Sequence, residues 1–95
     1  MPSEAVVERT VCAYAEQRGM LALKFTSPGR AGVPDRIFIG PYATIMFIEF
    51  KAPGKKPSVL QTRHLSTLRN LGHFATWVDS IEAGKKLIDK VMGSA

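Results

Sequence analysis

With 95 residues, 45% of them hydrophobic, the chain is long enough to build one core as a single domain over residues 1–95 and too short for two. No apolar run approaches a membrane span and no basic segment with an apolar core opens the chain, so the cytoplasm is the expected location. The lone Cys12 excludes an internal disulfide, and the absence of paired ligands at zinc spacing excludes a structural zinc site. The net charge of +5 is unevenly placed: from Lys24 to Arg69 eight basic residues stand against two acids, Asp35 and Glu49. That clustering implies a polyanion as partner.

Ser3 is placed to cap a helix running to about Arg18, with Val7, Val11 and Ala15 as an apolar stripe, Glu8 at its edge and Gly19 as the stop. Met20 to Phe25 reads as a strand with Leu21, Leu23 and Phe25 on one face. The turn-rich segment Thr26 to Gly32 follows, carrying Arg30 at its tip. A second strand, Arg36 to Ile39, meets a third, from about Ala43 to Lys51, across a short turn at Gly40-Pro41, which makes an antiparallel hairpin the simplest connection. The unbroken apolar run Ile45 to Ile48 marks the third strand as central and buried on both faces. Ala52 to Pro57 cannot continue a ladder, because prolines and a glycine interrupt it. Ser58 opens a second helix whose stripe of Leu65, Leu68 and Leu71 stops at Gly72. Phe74 to Val78 makes a fourth strand, and a last helix from about Ser80 to Met92 buries Leu87, Ile88 and Val91. The order α-β-β-β-α-β-α predicts an α/β fold with a mixed sheet and helices packed on its faces.

A charged Glu49-Phe50-Lys51 ending a central strand is out of place for packing alone. Alternation sends Glu49 and Lys51 to one side and Phe50 into the body of the protein. The hairpin then sets Asp35 beside that pair, and two convergent acids need a cation. Two carboxylates and an ammonium so arranged suit a phosphodiesterase site that holds Mg²⁺ or Mn²⁺, hard cations that prefer oxygen donors. Taken singly, Asp35 is a turn acid after Pro34, Glu49 a strand-end acid and Lys51 its ion-pair partner. Their convergence favours the cation. Ser58-Val-Leu-Gln61 fits a capping box, which accounts for Gln61 without catalysis. His64 and His73 read as surface and strand-edge residues, Phe74 and Trp77 as core or sheet-face aromatics, and Cys12 as a buried small apolar residue.

Glu8, Gly32-Val-Pro-Asp-Arg36, Glu49-Phe-Lys51, the Ala-Pro-Gly-Lys segment at 52–55 and Gln61 together resemble the PD-(D/E)xK nuclease superfamily. Within it, they resemble the virus-type replication-repair nuclease domain, VRR-NUC. The matching pieces span most of the chain, and their combination is far more specific than an Asp followed by Glu-x-Lys, which is common by chance. The resemblance implies a restriction-endonuclease-like α-β-β-β-α-β core, in agreement with the order read from the pattern, here with an added C-terminal helix. It implies Asp35 and Glu49 as ligands to Mg²⁺ or Mn²⁺, with the backbone carbonyl of Phe50 as a third donor. Lys51 would orient the attacking water and stabilise developing negative charge, since action as a base would first require loss of its proton. Glu8 would support the metal through water or help bind a second ion. Gln61 would position water or phosphate, in competition with helix capping.

Arg30, Arg36, Lys55, Lys56 and Arg63 are the candidate phosphate contacts, which hold a nucleic acid without reading its sequence. The function so implied is a metal-dependent, structure-selective DNA endonuclease acting on branched DNA such as Holliday junctions, in a bacterial or phage-infected cell. Symmetric incision of two strands implies a homodimer. A non-catalytic nucleic-acid-binding module on the same fold is the competing reading, weakened by the intact Asp-Glu-Lys set. A sequence-specific restriction-like enzyme is weakened by the little room so short a chain has for reading bases.

Overall fold

Three serines set the helix starts. The side chains of Ser3, Ser58 and Ser80 accept from the backbone N–H of Val6, Gln61 and Ala83, so each satisfies a donor that a helix end leaves open. The computed structural model describes residues 1–93. In chain order its elements are α1 (Glu4–Gln17), β1 (Leu21–Lys24), β2 (Arg36–Ile39), β3 (Ile45–Phe50), α2 (Val59–Asn70), β4 (Phe74–Val78) and α3 (Ile81–Met92). Among the described residues no helix is long and apolar enough to cross a membrane.

The strands form one sheet in the order β1-β2-β3-β4. The first three run antiparallel, and β4 joins β3 in parallel, which requires the crossover that α2 supplies. The mixed α/β architecture expected from the sequence is therefore present. α1 and α3 cover one face, where Val7, Val11 and Ala15 pack with Phe38, Met46, Ile48, Phe50, Val78 and Ile88. α2 lies against β4 on the other face, burying Leu65 and Ala75.

The two covering helices are bound at close range. A Cβ on Gly84 of α3 would overlap Cγ2 of Val11 on α1. Asp89 of α3 accepts from the Tyr14 hydroxyl and from the Arg18 guanidinium at the end of α1. Gly84→Ala is expected to destabilise the fold by about 1–3 kcal/mol, because the added methyl meets a β-branched side chain with no room to turn away. Thermal unfolding measures it, and an unchanged midpoint would show that the helices part at no cost.

Three expectations need correction. β3 is not buried on both faces: Met46, Ile48 and Phe50 are buried on the α1/α3 side, but Ile45 is 41% exposed and Phe47 is half-buried. The reason is that α2 reaches over the β4 side of the sheet and leaves β1 and β2 uncovered. Leu21 and Leu23 accordingly share a face, but one that is 51% and 41% exposed, while Met20 is buried. Leu71, expected in the stripe of α2, is its C-cap and stands 70% exposed. The hairpin also turns later than expected. Thr44 N–H donates to the Pro41 carbonyl, and Tyr42 and Ala43 take φ of 57° and 62° between them.

Candidate active site at the end of β3

Alternation along β3 sets the geometry. Phe50 is fully buried in the core, and Glu49 points to the opposite face, where its register partner on β4 is Trp77. The Lys51 N–H donates to the Val78 carbonyl at 2.9 Å, which extends the parallel pairing past β3 and keeps Lys51 on the side of Glu49. The first turn of α2 closes over this end, and Glu49 is left 2% exposed. Its Oε2 accepts from Gln61 Nε2 at 2.8 Å and lies 3.5 Å from Lys51 Nζ. Its Oε1 is buried and has no hydrogen-bond partner.

Asp35 arrives from the other side on a constrained segment. Pro34 is fully buried. Gly32 has φ of +83°, and a Cβ there would lie 2.7 Å from Leu60 Cγ and 3.1 Å from His64 Cδ2, so glycine alone lets this loop rest against α2. The Asp35 carbonyl accepts from Phe25 N–H at 2.9 Å, and its Oδ2 accepts from Phe50 N–H at 2.8 Å. Backbone on both sides thus fixes this carboxylate at the end of β3.

Both acids are pushed toward their neutral form. Burial, then the nearby charge of Asp35, drives Glu49 up to about 7, against the opposing pull of Lys51. Burial also raises Asp35 above the usual carboxylate range, against the stabilising Phe50 N–H. Two adjacent carboxyls, both burdened by ionisation, with one oxygen lacking any donor, describe a place short of positive charge. Among the described residues no group of three or more His, Cys, Asp and Glu side chains comes together. A two-carboxylate set suits Mg²⁺ or Mn²⁺, which complete their shells with water and backbone oxygen, and so the residues present fit such a cation.

Glu8 lies near enough for its charge to help raise Asp35, and its own carboxylate is held by two cations. Its Oε2 accepts from Arg36 Nε at 2.7 Å and from Lys24 Nζ at 3.3 Å, on the sheet face covered by α1. Arg36 is consequently tied to α1, with its side chain 24% exposed. Arg30, Lys55, Lys56 and Arg63 are exposed. The segment carrying Lys55 and Lys56 is held by Gly54 N–H, which donates to Asp79 Oδ2 at 3.2 Å. Gln61 forms the capping box expected of it, and the same side chain also donates to Glu49, which places it at the site. Sequence reasoning did not single out Trp77 or Asp79 as neighbours of the site, because the β3–β4 register that brings them there has no local signature.

No family model matches the sequence. A solved structure described as a VRR_NUC domain aligns with a TM-score of 0.84 at 32% identity, over 90% of this chain and 94% of that one. The protein named "Putative nuclease p44" from Acyrthosiphon pisum secondary endosymbiont phage 1 is 43% identical over 77 residues, which are 81% of this chain and 83% of the phage protein. Agreement in fold with the solved domain and in sequence with both relatives, over most of each, means that the chain belongs to the VRR-NUC family of nuclease domains.

Proposed function

We propose that the protein is a divalent-metal-dependent, structure-selective DNA endonuclease, and that branched DNA such as a four-way junction is its substrate. The observation that carries this reading is the buried Glu49 carboxylate, with one open oxygen, beside Asp35 and 3.5 Å from Lys51. Asp35, Glu49 and the Phe50 carbonyl would hold Mg²⁺ or Mn²⁺, which when bound supplies Lewis-acid stabilisation of the scissile phosphate and favours ionisation of a water. Lys51, anchored to Glu49, orients the attacking water and meets the negative charge that develops on the phosphate. Gln61 holds Glu49 in place. Glu8, engaged with Arg36 and Lys24, serves the cation at longer range, through water or at a second ion. Arg30, Lys55, Lys56 and Arg63 contact phosphates around the first turn of α2. Arg36, bound to Glu8, contributes to the same field from behind the sheet.

The test is cleavage of a panel of four-way, flapped and linear DNA with Mg²⁺ or Mn²⁺, with and without EDTA. Incision of branched substrates that EDTA abolishes is expected, whereas binding with no incision under either metal would leave only a binding module.

Each chain contains one such site, so paired incision of a junction needs two copies. The uncovered face of β1, β2 and β3 supports this, since it exposes Leu21, Leu23, Ile39 and Ile45 by 37–51% as one apolar surface. The double variant Leu21→Lys/Leu23→Lys is expected to sediment as a monomer that still unfolds cooperatively, at a lower midpoint than the parent, which sediments as a dimer. A monomeric parent at assay concentration would remove the symmetric scheme.

A further inference from the structure

A primary amide has one accepting end and one donating end, so whatever claims the oxygen decides where the NH₂ points. The Gln61 amide is claimed on both ends. Ser58 N–H donates to its Oε1 at 2.8 Å, and its Nε2 donates to Glu49 Oε2 at 2.8 Å. The Ser58 hydroxyl holds the same turn by accepting from Gln61 N–H at 3.1 Å. The reversed amide would set an oxygen against the Glu49 carboxylate and leave the Ser58 N–H facing a donor. The cap of α2 therefore selects the amide's sense. The amide in turn occupies Oε2 of Glu49, and Oε1 is the oxygen left open.

Building on the cation site described above, we propose that Ser58 is a positioning residue for that site: its cap fixes the Gln61 amide, which presents Glu49 Oε1 to the metal. Helix initiation and ligand orientation are then a single device. A carboxylate whose rotation is set by an outer hydrogen bond binds metal more tightly than one that must be ordered on binding. Ser58 has φ of −66°, the value a proline ring requires. Ser58→Pro can thus delete the N–H donor, together with the hydroxyl that accepts from Gln61 N–H, without imposing a new φ at that residue.

The experiment is calorimetric titration of Mn²⁺ into the full chain without DNA, paired with thermal midpoints to confirm folding. Gln61→Met is expected to weaken Mn²⁺ binding by about tenfold, and Ser58→Pro by roughly fivefold, as for the loss of a hydrogen bond that orients a metal ligand. Ser58→Thr keeps both capping groups and should stay within about twofold of the parent. In the Gln61→Met background, Ser58→Pro should produce no further weakening, because its effect passes through the amide. A merely structural cap would instead weaken binding equally in both backgrounds, and that result overturns the proposal. So does wild-type affinity in Gln61→Met, a measurement that stands even where Ser58→Pro fails to fold. Glu49→Ala separates the two levels of argument. A parent chain that takes up no Mn²⁺ defeats the cation site itself, whereas uptake that depends on Glu49 but ignores Gln61 and Ser58 defeats this inference alone.

Discussion

Asp35→Ala and Glu49→Ala are each expected to slow DNA cutting by at least about 10³-fold in single-turnover assays. The charge stabilisation that a held cation gives a phosphoryl transition state is roughly 4 kcal/mol, and each 1.36 kcal/mol corresponds to about a tenfold change in rate. Lys51→Ala should slow cutting to a similar degree by removing the ammonium 3.5 Å from Glu49. It differs in sparing Mn²⁺ binding, because Lys51 donates nothing to the cation. The two readouts together would separate the residues proposed to hold the metal from the one proposed to handle water and charge. Cutting by all three variants at the parent rate would refute the site.

A second large effect concerns stability. Glu49 has a usual pKa of 4.5 and is pushed up to about 7 in the fold. Below pH 4.5 both folded and unfolded chains hold this proton and the group is neutral in its effect. Between 4.5 and 7 the folded chain keeps a proton that the unfolded chain has lost, so stability falls as pH rises. Above 7 both have lost it, and the full cost of a buried, ionised carboxylate remains. At about 1.4 kcal/mol per pH unit that cost is roughly 3 kcal/mol. Asp35, shifted in the same direction, adds to it.

Glu49→Gln keeps an acceptor for the Gln61 NH₂ and cannot ionise. In EDTA at pH 8 it is therefore expected to be more stable than the parent by about 2–3 kcal/mol, while being inactive. At pH 4.5 the two should unfold at nearly the same urea concentration. Added Mn²⁺ should raise the parent's midpoint and leave that of the variant almost unchanged. Coincident curves at pH 8 would show that the buried carboxylate carries no ionisation penalty.

The parts of this fold that were legible in the sequence are those governed by local rules. β2 and β4 begin and end where expected, since turn formers bound both. The period of two along Glu49-Phe50-Lys51 was enough to separate a buried Phe50 from its two charged neighbours. The Ser58 cap was readable from four residues. What was not legible depends on where distant elements come to rest. Ile45 to Ile48 looks like a strand covered twice, but only the placement of α2 over β4 decides that one face stays open. Arg36 has the sequence context of a phosphate contact, yet the rise of β2 and the turn of α1 deliver it to Glu8. The bond from Gln61 to Glu49 was hidden for the same reason: capping is local, whereas that bond crosses from a helix to a strand.

The closure of α1 against α3 has a consequence for how the chain acquires its structure. Tyr14 and Arg18 find their partner Asp89 at separations of 75 and 71 residues. The stripe of Val7, Val11 and Ala15 rests on the sheet, but its cover is incomplete until that distant helix arrives. During vectorial synthesis the hairpin of β2 and β3 can assemble early, but the opening helix waits for the segment from Ile81 to Met92 to clear the ribosome. Nascent chains stalled before that point will expose a greasy amphipathic helix. Such chains are the form of this protein most prone to capture by chaperones.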